Sequence, residues 1–329
     1  MKKILGYFFI IIINYLLLTF LVFTFSYVSL INNKTYDLLW VKYIQKKLYI
    51  SGIVKNWQSN RKCSKFDKNL LYVPVEGECI FSNPEFITKL NFDSSRRLNM
   101  IDDNINSNEK VIAVLGDSFA MGWGVNDNET FSYNLQKLIG KKVLNLGVSS
   151  YGTIREIKRL KLNKFYDQVD TVIIQYHLND FSENKNLDIN KTYSKEEFEK
   201  FFASKENNVN IIIFLLKNYK KSLRLLFSHL KDLYFENDRK EKHNLTEHLN
   251  NLEKIINKNL KDEGKRVIVF LINPPYQEII YEKDKKYKNF EFINIKIKKE
   301  HLFVIDDHIN KNGHAYVSKE LFNYLSSVL

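Results

Sequence analysis

From residue 111 onward, short runs of β-branched and other apolar residues alternate with stretches of helical periodicity, and few folds accommodate that pattern. The runs fall at residues 111–115, 142–146, 171–176, 266–272 and 302–305. Most are nearly all apolar, as strands buried on both faces should be. Helical patterns at 130–139, 153–165 and 245–263 separate them. The alternation predicts a doubly wound parallel sheet with helices on both faces, a fold whose sites open at the carboxyl ends of its strands.

Those strand ends hold the unusual residues. The first run leads into Gly116-Asp117-Ser118, the second into Gly147, the third into His177-Leu178-Asn179, and the last into Asp306-Asp307-His308. Ester hydrolysis through serine needs a nucleophile, a base, an acid that orients the base, and donors for the oxyanion. Ser118 is the candidate nucleophile and His308 the base. Asp306 is the orienting acid, with Asp307 as the alternative. Gly147 offers a backbone N–H unshielded by a Cβ, and Asn179 offers a side-chain amide. Singly, each has an ordinary explanation: a turn, an Asx-turn, a capping or core histidine. Together, at four separate strand ends, they favour catalysis.

Four blocks carry a family resemblance: GDSFAMGWG with Ser118, NLGVSSYG with Gly147, LND with Asn179, and DDHINKNGH with Asp306 and His308. In this order they resemble the SGNH/GDSL hydrolases over residues 111–325. The resemblance implies a three-layer α/β/α fold with five parallel strands, flavodoxin-like in kind, and neither metal nor cofactor. It implies Ser118 as nucleophile, His308 as base and then acid, and Asp306 as its orienter. The Ser118 and Gly147 N–H groups with the Asn179 amide would form the oxyanion hole. The segment DKNLLYVPVEGECIFSNPEF is similar to the region preceding this domain in anchored bacterial envelope members. Two departures stand out. His177 occupies a position two before Asn179 that is usually glycine, narrowing the pocket or adding a polar substrate contact. Asp306 stands two residues before His308, where many members have three.

Ahead of the alternating region, Met1-Lys2-Lys3 precedes an uncharged run over residues 4–31, long enough to cross a hydrocarbon core of about 30 Å. It exceeds the h-region of a cleaved signal peptide and lacks a small-residue cleavage site. It reads as a retained transmembrane anchor, with Lys2 and Lys3 cytoplasmic and the rest extracytoplasmic, although lysines at 34, 42, 46 and 47 weaken the charge bias. Three regions follow: the anchor (1–31), a helical and irregular segment (32–108, helical over 32–60), and the hydrolase domain (109–329). An insertion at 181–243 interrupts the last. Within it, residues 210–235 read as an amphipathic helix that packs on the core, lids the site or rests on the membrane.

A net charge of +12 suggests nucleic acid, but the lysines are scattered, with no arginine-rich run or zinc spacing. No nucleic-acid partner is expected. The two cysteines, Cys63 and Cys79, either close a loop of about 15 residues, a cross-link worth roughly 3 kcal/mol, or are unrelated thiols.

These expectations converge on a membrane-anchored serine esterase that removes acyl groups, O-acetyl above all, from envelope glycans or small esters. An O-acyltransferase using the same residues, and a non-catalytic glycan-binding or assembly protein on this scaffold, are the alternatives.

Overall fold

The computed structural model of the chain describes residues 2–50, 54–99, 105–106, 108–203, 241–282 and 285–327. Helix α1 (Lys2–Ile31) is followed after a tight turn by α2 (Leu39–Leu48). Two antiparallel pairs come next, β1 (Ser64–Asp67) with β2 (Leu71–Pro74) and β3 (Gly77–Asn83) with β4 (Phe86–Phe92). The remainder runs β5 (Val111–Gly116), α3 (Ser118–Met121), α4 (Phe131–Ile139), β6 (Val143–Asn145), α5 (Thr153–Lys161) and β7 (Val169–Tyr176). It continues through α6 (Asp180–Asn186), α7 (Lys195–Ala203), β8 (Glu241–Asn244), α8 (Thr246–Leu260), β9 (Arg266–Asn273), β10 (Gln277–Ile280), β11 (Glu291–Lys296) and α9 (Lys311–Ser327).

Five strands form one parallel sheet in the order β11-β9-β7-β5-β6. The chain enters at β5, steps outward to β6, and returns past β5 to β7. The strand order therefore reverses between β5 and β7, the switch point where doubly wound folds bind ligands. Side-chain alternation divides the core into two faces. Val111, Ala113 and Leu115 pack with Ile157 and Leu160 of α5 and Leu249, Leu252 and Ile256 of α8. Ile112 and Val114 face the other way, onto Phe131 and Leu135 of α4 and Val317 and Leu321 of α9. Each fully buried aliphatic chain contributes about 1.5–3 kcal/mol, and the layering is α/β/α as expected.

Two sequence expectations are corrected. Residues 302–305 are not a strand, although Leu302 bridges Ile309 in isolation. The fifth strand is β11, whose sequence EFINIK lies half-exposed at the sheet edge. The segment at 302–309 is instead a loop, because the Glu85 carboxylate takes the N–H groups of Val304, Ile305 and Asp306 that a neighbouring strand would have used. Among the described residues, the helix expected over 32–60 is found only in α2, its continuation to residue 50 and a 3-10 turn at Trp57–Ser59. Buried Gln45 ties off the turn ahead of it, donating to Lys34 O and accepting from Tyr36 N. Residues 210–235 lie outside the described residues.

Cys63 and Cys79 form a disulfide with a Cα separation of 5.2 Å, joining the start of β1 to β3. Their neighbours Trp57, Tyr72, Phe81 and Leu90 form a second core with Trp123, Val148 and Tyr151. Arg97 pairs in antiparallel fashion with both Phe92 and Asn145, so this N-terminal layer continues the main sheet beyond β6. Helix α1 includes a 27-residue stretch, Leu5–Ile31, long and apolar enough to cross a membrane.

Candidate active site

The exit of β5 is a tight corner. Gly116 has φ +146°, and a Cβ there would lie 2.6 Å from that of Ala120 and 2.9 Å from that of Gln175. Asp117 caps the short helix α3 through Phe119 N at 2.9 Å, which places Ser118 at its first position. Gly122, with φ +90°, ends the helix, and its following loop is held by one side chain. The guanidinium of Arg97 donates to the carbonyls of Met121, Gly122 and Val125 and pairs with Asp127 at 2.7 Å.

Across the switch point, the loop before α9 delivers the partners. Ser118 Oγ lies 2.7 Å from His308 Nε2, and His308 Nδ1 lies 2.5 Å from Asp306 Oδ1. The His308 backbone N–H donates to the same Asp306 oxygen at 3.0 Å. Asp306 Oδ2 accepts from Tyr49 Oη at 2.5 Å and Trp123 Nε1 at 3.0 Å, so neither oxygen is left bare. The indole of Trp123 also stacks on the imidazole, with centroids 4.7 Å apart and planes 15° off parallel. Asp307 points elsewhere, to Lys46 Nζ at 2.5 Å. Of the two candidate acids, Asp306 is the one that meets the histidine.

The electrostatics follow from these contacts. Burial disfavours a charged His308, but the Asp306 charge and hydrogen bond, with Asp117 and Asp307 behind them, outweigh it and raise its pKa. Burial works against an ionised Asp306 too, yet His308 and the Tyr49 hydroxyl hold it well below the usual carboxylate range. Behind Ser118, burial pushes Glu156 and Asp180 well above that range, reinforced for Glu156 by the charges of Asp180 and Asp117 and for Asp180 by that of Asp117.

Ser118 and His308 open into a cleft of about 660 Å³ whose walls include Tyr49, Trp123, His177, Asn179 and Tyr276. Asn179 is exposed at the start of α6, on the same cleft. His177 stacks on Phe119 at 5.3 Å and accepts the Asn179 N–H at 3.4 Å through Nδ1. Gly147 is placed differently. It is buried against α3, where a Cβ would come within 2.3 Å of Met121 N, and its N–H donates to Asn145 Oδ1 at 3.1 Å. It is not on the cleft wall.

Four residues that shape this site escaped the sequence reading: Tyr49, Glu85, Arg97 and Trp123. Trp123 falls inside the GDSFAMGWG block and Glu85 inside DKNLLYVPVEGECIFSNPEF, whereas Tyr49 and Arg97 lie in no such segment.

No family profile matches this chain, and no curated protein matches it. Among solved structures it is similar to a two-domain esterase active on acetylated mannans, at 14% identity over 68% of this chain and 50% of that one, with a TM-score of 0.37. It is similar to a family two carbohydrate esterase from Cellvibrio japonicus, at 14% identity over 67% of this chain and 62% of that one (TM-score 0.33). A GDSL-like lipase from Bacteroides thetaiotaomicron matches at 11% identity over 70% of this chain and 93% of that one (TM-score 0.34). The chain spans about half of the first of these proteins. Likenesses of this depth carry no argument about chemistry, which rests on the contacts around Ser118.

Proposed function

We propose that this chain is a serine esterase of the SGNH/GDSL type, with Ser118 as nucleophile, His308 as general base and acid, and Asp306 as the group that orients His308. One observation carries the reading: the continuous relay from Ser118 Oγ to His308 Nε2 at 2.7 Å and from His308 Nδ1 to Asp306 at 2.5 Å. These are the distances at which proton transfer and tautomer control operate. Ser118 Oγ attacks the ester carbonyl as its proton passes to His308 Nε2. The tetrahedral oxyanion takes hydrogen bonds from the Ser118 N–H and the Asn179 amide. Gly147, whose N–H is held by Asn145, serves instead to let the helix that begins at Ser118 pack closely. His308 then protonates the departing alkoxide, and a water activated by the same nitrogen releases the acyl group from Ser118.

In this reading residues 109–329 are the catalytic unit, braced by 32–108. The apolar helix is a retained anchor, with Lys2 and Lys3 in the cytoplasm and the cleft on the outer side. The substrate is an acylated, above all O-acetylated, envelope glycan or a small ester. The half-open ring of Tyr276 on the cleft supports a sugar-bearing substrate, since pyranose faces stack on such rings.

Turnover of p-nitrophenyl acetate by full-length protein and by Ser118→Ala tests the chemistry. Loss of activity in a folded variant is the expected result; equal rates in both proteins would remove Ser118 from the mechanism. Adding a glycan acceptor and assaying for acylated sugar separates hydrolysis, which yields free acid alone, from acyl transfer.

A further inference from the structure

We infer that Tyr49, supplied by the helix next to the N-terminal apolar segment, is a positioning residue of the catalytic site that holds Asp306 through its hydroxyl. The inference rests on the serine hydrolase reading of Ser118, His308 and Asp306. Tyr49 stands directly after α2, 257 residues from Asp306 in sequence, and is 4% exposed. Its Oη donates to Asp306 Oδ2 at 2.5 Å, opposite the oxygen that receives His308. The ring sits in an apolar cluster with Ile44 and Leu48 of α2, Leu30 of α1 and Ile305, the residue before Asp306. Lys46, one turn earlier, pairs with Asp307 on the other side of the same loop. Helix α2 therefore grips the catalytic loop at two successive acidic residues.

The hydroxyl has a chemical consequence that packing alone lacks. A donor on Oδ2 draws negative charge away from Oδ1 and so tunes how strongly Asp306 stabilises the imidazolium. The other groups around this pair are fixed. Trp123 donates to Oδ2, Glu85 lies below the Asp306 N–H, Asp117 and the Lys46-paired Asp307 flank His308, and His314 in α9 lies beyond it near Arg97. Removing the Tyr49 hydroxyl should leave Asp306 both less well oriented and more strongly charged towards His308.

The test uses full-length protein in detergent and reads the pH dependence of ester turnover for wild type, Tyr49→Phe and protein carrying 3-fluorotyrosine at position 49. Tyr49→Phe should lower kcat roughly tenfold with KM nearly unchanged, the size expected for one hydrogen bond to a charged group. Its acid limb should move up by about half a pH unit. Fluorotyrosine keeps the shape and is a stronger donor, so it should move that limb down. It also serves if the phenylalanine variant folds poorly. Wild-type kcat and an unmoved limb in both proteins, with Ser118→Ala inactive, would overturn the role of Tyr49 alone. Turnover unaffected by Ser118→Ala would instead overturn the hydrolase reading beneath it.

Discussion

Glu85 accepts the backbone N–H of Asp306 at 2.8 Å, and with the same carboxylate takes those of Val304 and Ile305. A turn between β3 and β4 thus shapes the loop that carries Asp306. Burial raises the Glu85 pKa and the three N–H groups oppose that rise, so its carboxylate and the loop depend on one another. Glu85→Ala should lower kcat by about ten- to a hundredfold, because the relay tolerates little misplacement. Its melting temperature should fall by several degrees. Steady-state kinetics with p-nitrophenyl acetate and a thermal melt on the same preparation check both.

Arg97 and Asp127 form an ion pair in which neither side chain is more than 2% exposed. Truncating Arg97 to alanine leaves the buried Asp127 charge without its cation, held only by Asn91, and frees three carbonyls of the loop after Ser118. The expected loss of stability is about 3–5 kcal/mol. Denaturant titration of Arg97→Ala, Asp127→Ala and the double variant gives the coupling. The double variant should be clearly less destabilised than the sum of the two.

Gly147 is where a single methyl group should be most disruptive. Its Cβ would lie 2.3 Å from Met121 N and 2.6 Å from Ala120 C, both backbone atoms of the helix that begins at Ser118. Neither can move without shifting Ser118. Gly147→Ala should cost about a hundredfold or more in kcat/KM, measurable by ester turnover, with circular dichroism reporting whether the sheet survives.

The pH profile has a definite sign. As the proposed base, His308 would have to be neutral to accept the Ser118 proton, and its pKa lies above the ordinary histidine value, as Asp306 outweighs the burial of the ring. Activity should therefore be lost as pH falls through a midpoint above about 6.5. Asp306, held well below its ordinary value, stays ionised throughout that range. A kcat/KM profile with its acid limb at or below pH 6 would contradict this arrangement.

What could be read from the sequence was what local pattern encodes. Four of the five core strands lie within two residues of the apolar runs that announced them, and Ser118, His308 and Asp306 converge from strand-end or loop positions that the sequence marked. The fifth strand was hidden because β11 is an edge strand: with partners on one side only, it carries Glu291, Asn294 and Lys296 among its apolar residues. Residues 302–305 looked like a strand because Leu, Phe, Val and Ile are adjacent. Those side chains serve separate neighbours, Phe303 meeting Phe86 and Ile305 meeting Leu30 and Tyr49. Tyr49 and Glu85 act on Asp306 across 257 and 221 residues, separations at which no periodicity or spacing rule operates.

The pairing of Arg97 with Asn145 bears on how this protein behaves in a crowd. Strand β6 spans only Val143–Asn145, and at its last residue the free side of the ladder is taken by a residue from the same chain. Strand β6, short and already bridged, gives a second molecule little backbone to lay a strand against at that position. The opposite border is guarded differently, by charged Glu291 tied to Arg266 and by Lys296. The sheet is capped at one end and charged at the other, which favours molecules that stay apart when many are gathered on one surface.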